Sequence, residues 1–148
     1  MVMIVSLPSD LFGRVPTLSG VVEADSPQVA VVDAGTLKLG ETIVRLQGIT
    51  APSRSQDCGL GSERFACGAS ATQALAGLVR GHIVTCHLAG RDAAGFPQGR
   101  CEAGGADINR ALVAGGWARS DAADLVEVEA IARSRRVGVW QHGETAAF

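Results

Sequence analysis

The chain has 148 residues, 47% hydrophobic and 19% charged, with a formal net charge of −2. That length makes one domain able to bury roughly two thirds of its unfolded surface, and the composition excludes a disordered chain. A single Lys, Lys38, and the absence of Tyr leave few phosphate-neutralising or base-stacking groups beyond Arg, which weighs against nucleic acid as the partner.

Met1–Leu7 is apolar but short, lacks a basic stretch and a small-residue cleavage site, and does not read as a signal peptide. Residues 1–18 read as an N-terminal arm or a cloning remnant, 19–141 as the domain and 142–148 as a tail. No apolar run reaches the roughly 18 residues that a membrane-spanning helix needs. Ser19–Glu23 and Gln28–Asp33 are Val-rich and separated by the turn signal Asp25-Ser26-Pro27. Thr36–Leu39 and Thr42–Ile49 alternate apolar and polar side chains across a Gly40-Glu41 turn, which continues a meander of short strands. Thr50–Gly61, rich in Ser, Gly and Pro, reads as a loop. A helix is predicted over Glu63–Val79, with Ser62 as N-cap and Phe65, Ala69, Thr72, Leu75, Ala76 and Val79 at helical spacing.

Ile83–Leu88 and Gln98–Glu102 form a predicted hairpin around a Gly90–Pro97 loop, followed by helices over Asp107–Val113 and Ala122–Arg136. Strands ahead of helices indicate an α+β fold, here a five-stranded OB-fold barrel with three packed α-helices. Arg133, Arg135 and Arg136 stand at the end of the third helix, where cations suit the helix dipole.

The cysteines are Cys58, Cys67, Cys86 and Cys101, which allow three pairings. No Cys-x-x-Cys spacing is present, and His82 and His87, five apart on a strand, fall on opposite faces, so a zinc site is not expected. Two disulfides, and with them export to an oxidising compartment such as the periplasm, are the expected reading; four buried thiols are the alternative.

Six segments in order over about residues 19–140 resemble the staphylococcal-nuclease-like (thermonuclease) family. They are Val31–Leu37, against V-x-D-G-D-T-L; Val44–Ser53, against I-R-L-x-G-I-D-A-P-E; and Phe65–Gly68 with Ala71, against Y-A-C-G-x-x-A of exported bacterial members. Asp92–Phe96 stands against D-R-Y-G-R, Asp107–Ala118 against D-x-N-x-x-L-V-x-x-G-W-A, and Arg133–Trp140 against the closing A-R-x-x-x-x-G-L-W.

The resemblance implies a calcium-dependent nuclease site in which two Asp hold the metal, a Glu is general base and two Arg stabilise phosphate charge. Position by position, this sequence departs from it. The two Asp positions are Gly35 and Thr50, the Glu position is Ser53, the second Arg is Phe96, and the pocket-lining Tyr is Ala94. Arg45 alone is retained, either as an anion-binding candidate or paired with a neighbouring carboxylate. Neither Gly35 nor Thr50 supplies a carboxylate, and Ser53 is no base near neutral pH without an activating partner. No catalytic residue, calcium or other cofactor is therefore expected.

Asp33, Glu41, Asp57 and Asp92 read as turn and surface carboxylates, with Asp33 capping its own turn. Within the resemblance the hairpin brings Cys86 to Cys101, and Cys58–Cys67 then ties the long loop to the first helix. The expected function is a non-catalytic module for a protein or peptide partner. A residual or relocated metal-dependent nuclease, and nucleic-acid binding without cleavage, are the alternatives.

Overall fold

The computed structural model describes residues 19–143 and 148, so the expectation for residues 1–18 lies outside the described part. The strands are β1 (Ser19–Ala24), β2 (Val29–Asp33), β3 (Thr36–Leu39), β4 (Thr42–Leu46) and β5 (Ile49–Thr50), then β6 (Val84–Arg91), β7 (Pro97–Ala103), β8 (Ala106–Asp107) and β9 (Arg119–Ser120). The helices are α1 (Cys67–Val79), α2 (Ile108–Ala114) and α3 (Val126–Arg135). The main sheet runs β1-β6-β7-β4-β3-β2, with β8 on β7, while β5 and β9 form a separate pair.

This is an OB-like α+β arrangement, but hydrogen bonds do not close the expected barrel. The two ends of the path, β1 and β2, are consecutive in sequence and joined by a short 3-10 turn, Ser26–Gln28, which contains Pro27. Taken as one bent strand, they make five main strands with β3, β4, β6 and β7. The bend replaces a ladder with a covalent corner, and β1 comes against β3 there.

In β3 the alternate residues Leu37 and Leu39 enter the apolar core, while Thr36 is buried on the opposite face and Lys38 is exposed. Leu37, Val44, Leu75, Val84, Ile108 and Leu112 lie in one apolar cluster between the sheet and the helices. A second cluster gathers Trp140, Val139 and Ala132 around Cys58 and Cys67.

Both predicted disulfides are present, Cys58–Cys67 and Cys86–Cys101, with Cα separations of 5.6 and 4.0 Å. Cys86 and Cys101 face each other directly in the β6–β7 register.

Three boundaries differ from the sequence reading. The first helix starts at Cys67, not Glu63, because Cys58 and Phe65 exchange backbone hydrogen bonds and hold Arg64–Ala66 out of the helix. The third helix starts at Val126, preceded by a 3-10 turn over Ala123–Leu125. The strand read as Thr42–Ile49 divides at Gly48, whose φ of +78° only Gly adopts without strain. His82 lies in the turn ahead of β6, so it shares no strand with His87.

The cleft is held by an unusual joint. β4 pairs with β7 in parallel, Arg45 opposite Gln98 and Leu46 opposite Gly99, while β8 pairs with Glu102 and Ala103 on the same edge. Between these two short partners the edge of β7 would go unpaired at Cys101. The amide of Asn109, fully buried on α2, fills that gap. Its Oδ1 accepts from Cys101 N at 3.0 Å, and its Nδ2 donates to the carbonyls of Gln47 at 2.8 Å and Gly99 at 3.2 Å. At the far end of the sheet, the Arg54 guanidinium donates to the carbonyls of Val31 and Val32, where a bulge interrupts the β2–β3 register.

Candidate functional site

A cavity of about 360 Å³ opens beside the β4–β7 joint, lined by Asp33, Gly35, Arg45, Leu46, Ile49, Thr50, Ala51, Ser53, Asp92 and Gln98. Four of the six positions singled out in the sequence, Gly35, Arg45, Thr50 and Ser53, therefore meet in one cleft although they come from different strands and loops. Ala94 and Phe96 stand outside its lining, on the exposed tip of the β6–β7 hairpin.

Arg45 projects from β4 and is engaged through two of its three guanidinium nitrogens and on one face. Its Nε donates to Asp92 Oδ2 at 2.9 Å and its Nη1 to the buried Thr36 hydroxyl at 2.8 Å. The Phe96 ring lies 5.5 Å from its guanidinium carbon, within cation–π range.

Asp92 serves a second purpose. Its Oδ1 accepts from the amides of Ala94 at 3.0 Å and Phe96 at 2.9 Å, so the carboxylate folds the hairpin tip as it anchors Arg45. Its side chain is 16% exposed against 40% for Arg45. The Arg45 hydrogen bond holds Asp92 below its ordinary pKa, helped by the Phe96 amide and opposed by partial burial. The carboxylate partner that the sequence offered Arg45 is Asp92.

Asp33 caps its own turn as expected, accepting from Gly35 N at 2.9 Å. Asp57 pairs with Arg64 at 3.3 Å on the surface, and Glu41 is exposed. The cleft lining thus holds two carboxylates against one guanidinium, with one carboxylate spent on that guanidinium.

One residue escaped the sequence reading. Thr50 Oγ donates to Asp121 Oδ2, a carboxylate 71 positions away that is brought in by the β5–β9 pair and by Asp121 N donating to Gly48 O. No local motif announces this contact, since it depends on a pairing of two two-residue strands.

The basic cluster also divides. Arg133 is held by Glu129 at 3.1 Å, one turn back, and lies 4.2 Å over the Trp140 ring. Arg136 closes α3 in the left-handed conformation. Among the described residues no group of three metal-binding side chains comes together, and no helix is long and apolar enough to cross a membrane.

A family model described as staphylococcal nuclease homologue matches residues 43–142, more than half of the chain and including Arg45, Thr50, Ser53, Ala94 and Phe96. No curated protein matches the chain.

Proposed function

The chain belongs to the staphylococcal nuclease homologue family, and we propose that it uses the family scaffold as a non-catalytic binding module, without calcium-dependent hydrolysis. The observation that carries this is the state of Arg45. The one phosphate-directed cation kept from the family pattern is neutralised by Asp92, tied to Thr36 and covered on one side by Phe96. An incoming phosphate competes with that carboxylate for a guanidinium whose charge is already balanced.

The surrounding donors support the same reading. Calcium takes about six to eight oxygens, with carboxylates prominent among them. In this cleft Asp92 is committed to Arg45 and the hairpin amides, and Asp33 has one oxygen on Gly35 N. The residues present do not fit the ion. Ser53 has no described base beside it, and losing a single electrostatic contact to a transition state costs on the order of a hundredfold in rate.

Two assays test the proposal. A fluorogenic DNA substrate with calcium is expected to stay uncleaved, and calorimetry with calcium and a nucleoside bisphosphate is expected to show no binding. Metal-dependent cleavage that Arg45→Ala abolishes would overturn it.

A second reading, a relocated metal-dependent nuclease, rests on the Asp121 carboxylate at Thr50. It puts a carboxylate close to a position where the family carries one, and cleavage lost in Asp121→Ala would favour it. We also assign the protein to an oxidising compartment, exported or periplasmic, from its two disulfides. Its binding partner is proposed to be a protein or peptide, the net charge of −2 making nucleic acid the weaker fit.

A further inference from the structure

Helices α2 and α3 pack side by side and leave a second concavity of about 190 Å³ between them, lined by Arg110, Ala114, Val128, Ile131 and Arg135. Its floor is aliphatic, and Ile131 is 51% exposed there. Arg110 and Arg135 supply its charge, one from each helix, and both are exposed.

These two guanidiniums differ from others nearby. Arg100 is spent on Asp124 in a two-pronged bond, and Arg133 on Glu129 and Trp140. Arg110 and Arg135 make no side-chain hydrogen bond or ion pair among the described residues, and Asp124 feels Arg110 only through longer-range attraction. The helix dipole accounts for Arg135, which stands in the last turn of α3. It does not account for Arg110, which stands in the first turn of α2, the positive end of that helix. Asp107 caps that end with one oxygen on the Arg110 backbone amide, and its carboxylate makes no pair with the Arg110 guanidinium. A free cation at the disfavoured end of one helix, beside a second cation on the next and an exposed aliphatic floor, is charge awaiting a counter-charge.

We propose that this groove docks a peptide segment of a partner protein that presents a branched aliphatic side chain flanked by carboxylates. The aliphatic side chain covers Ala114, Val128 and Ile131, and the carboxylates reach Arg110 and Arg135 with the fork geometry guanidinium favours. A nucleic-acid strand would satisfy the cations but set a charged backbone on an aliphatic floor with no aromatic platform for its bases. The groove and the cleft have no lining residue in common, so the inference stands or falls apart from the nuclease assay.

Fluorescence anisotropy against the full chain tests it with four labelled probes of equal length: alternating glutamate–leucine, glutamate–serine and lysine–leucine peptides, and a single-stranded oligonucleotide. The glutamate–leucine peptide is expected to bind, and the other three at least about tenfold more weakly. Arg110→Ala and Arg135→Ala are each expected to weaken that binding about tenfold, and Ile131→Asp to reduce it to the level of the serine peptide. All three positions are exposed, so thermal unfolding of each variant is expected to stay close to that of the parent. Equal binding of the serine peptide or the oligonucleotide, indifference to the substitutions, or no binding of any probe up to about 1 mM would overturn the proposal.

Discussion

Replacing Asn109 with Ala tests the joint on which the cleft rests. The substitution removes three hydrogen bonds from a side chain with 0% exposure. The Cys101 amide suffers most. It is 97% buried on an edge that neither β4 nor β8 reaches, and a buried donor without a partner costs about 1–3 kcal/mol. The Gln47 carbonyl is only partly buried and recovers water, so its loss is nearer 1 kcal/mol. The Gly99 carbonyl keeps the Gln47 amide at 2.9 Å and loses little. The sum is about 2–4 kcal/mol, a large share of the roughly 5–15 kcal/mol that holds a domain together. For a chain of this size each kcal/mol lowers Tm by about 2–4 °C. Urea unfolding followed by tryptophan fluorescence is expected to show a lower midpoint with an unchanged slope, which marks lost stability rather than a changed unfolded state. A loss under about 1 kcal/mol would refute the reasoning, because it would mean that the β7 edge finds its partners without the amide.

Other positions give independent tests. Thiol titration of the denatured, unreduced protein is expected to find no free thiol, and opening the Cys86–Cys101 bridge by double Ala substitution to cost about 2–4 kcal/mol in chemical unfolding. Gly116 and Gly138, with φ of +76° and +60°, face each other so closely that a Cβ on either would enter the other segment's backbone. Ala at either site is expected to cost about 3 kcal/mol or more, whereas Gly77→Ala, exposed in α1 with open space around it, is expected to gain about 0.5–1 kcal/mol. Asp92 and Asp124 are both held below their ordinary pKa by arginine partners, Arg45 and Arg100. Their contribution to stability is fully present above the ordinary carboxylate pKa near 3.9 and is lost as pH falls through the lowered values. Acid unfolding curves of Arg45→Ala and Arg100→Ala are expected to lose part of that dependence.

The legible part of this molecule was whatever short-range pattern encodes. Alternation in Thr36–Leu39 and the apolar spacing of Leu75 and Val79 gave elements close to those observed, and the hairpin register brought Cys86 to Cys101. The start of α1 was misread because a long-range constraint overrode local propensity. Ser62 looks like a cap, but it lies within a 3-10 turn, Gly61–Glu63, after which the Cys58–Phe65 bridge holds Arg64–Ala66 out of the helix. The OB-like arrangement was legible, but how the two ends of its sheet meet was not, for a different reason. Composition cannot reveal that a proline-containing turn between β1 and β2 would take the place of a ladder. In the cleft, sequence located Gly35, Arg45, Thr50 and Ser53, but the charge balance depends on partners 47 and 71 residues away, Asp92 and Asp121. Such pairings exist only once the chain has folded.

Arg54 and Arg45 make opposite kinds of attachment, and acid separates them. Arg45 is fastened to a carboxylate, which a proton can take out of service. Arg54 is fastened to two peptide carbonyls, those of Val31 and Val32, and its attachment depends on no carboxylate. An exposed sheet end is where strands of other molecules add on and aggregates begin. As pH falls through the lowered pKa of Asp92 the hairpin tip over the cleft is expected to loosen, while the Arg54 attachment at the β2 bulge is expected to persist. Acid is therefore expected to release the cleft before it uncovers the β2 edge.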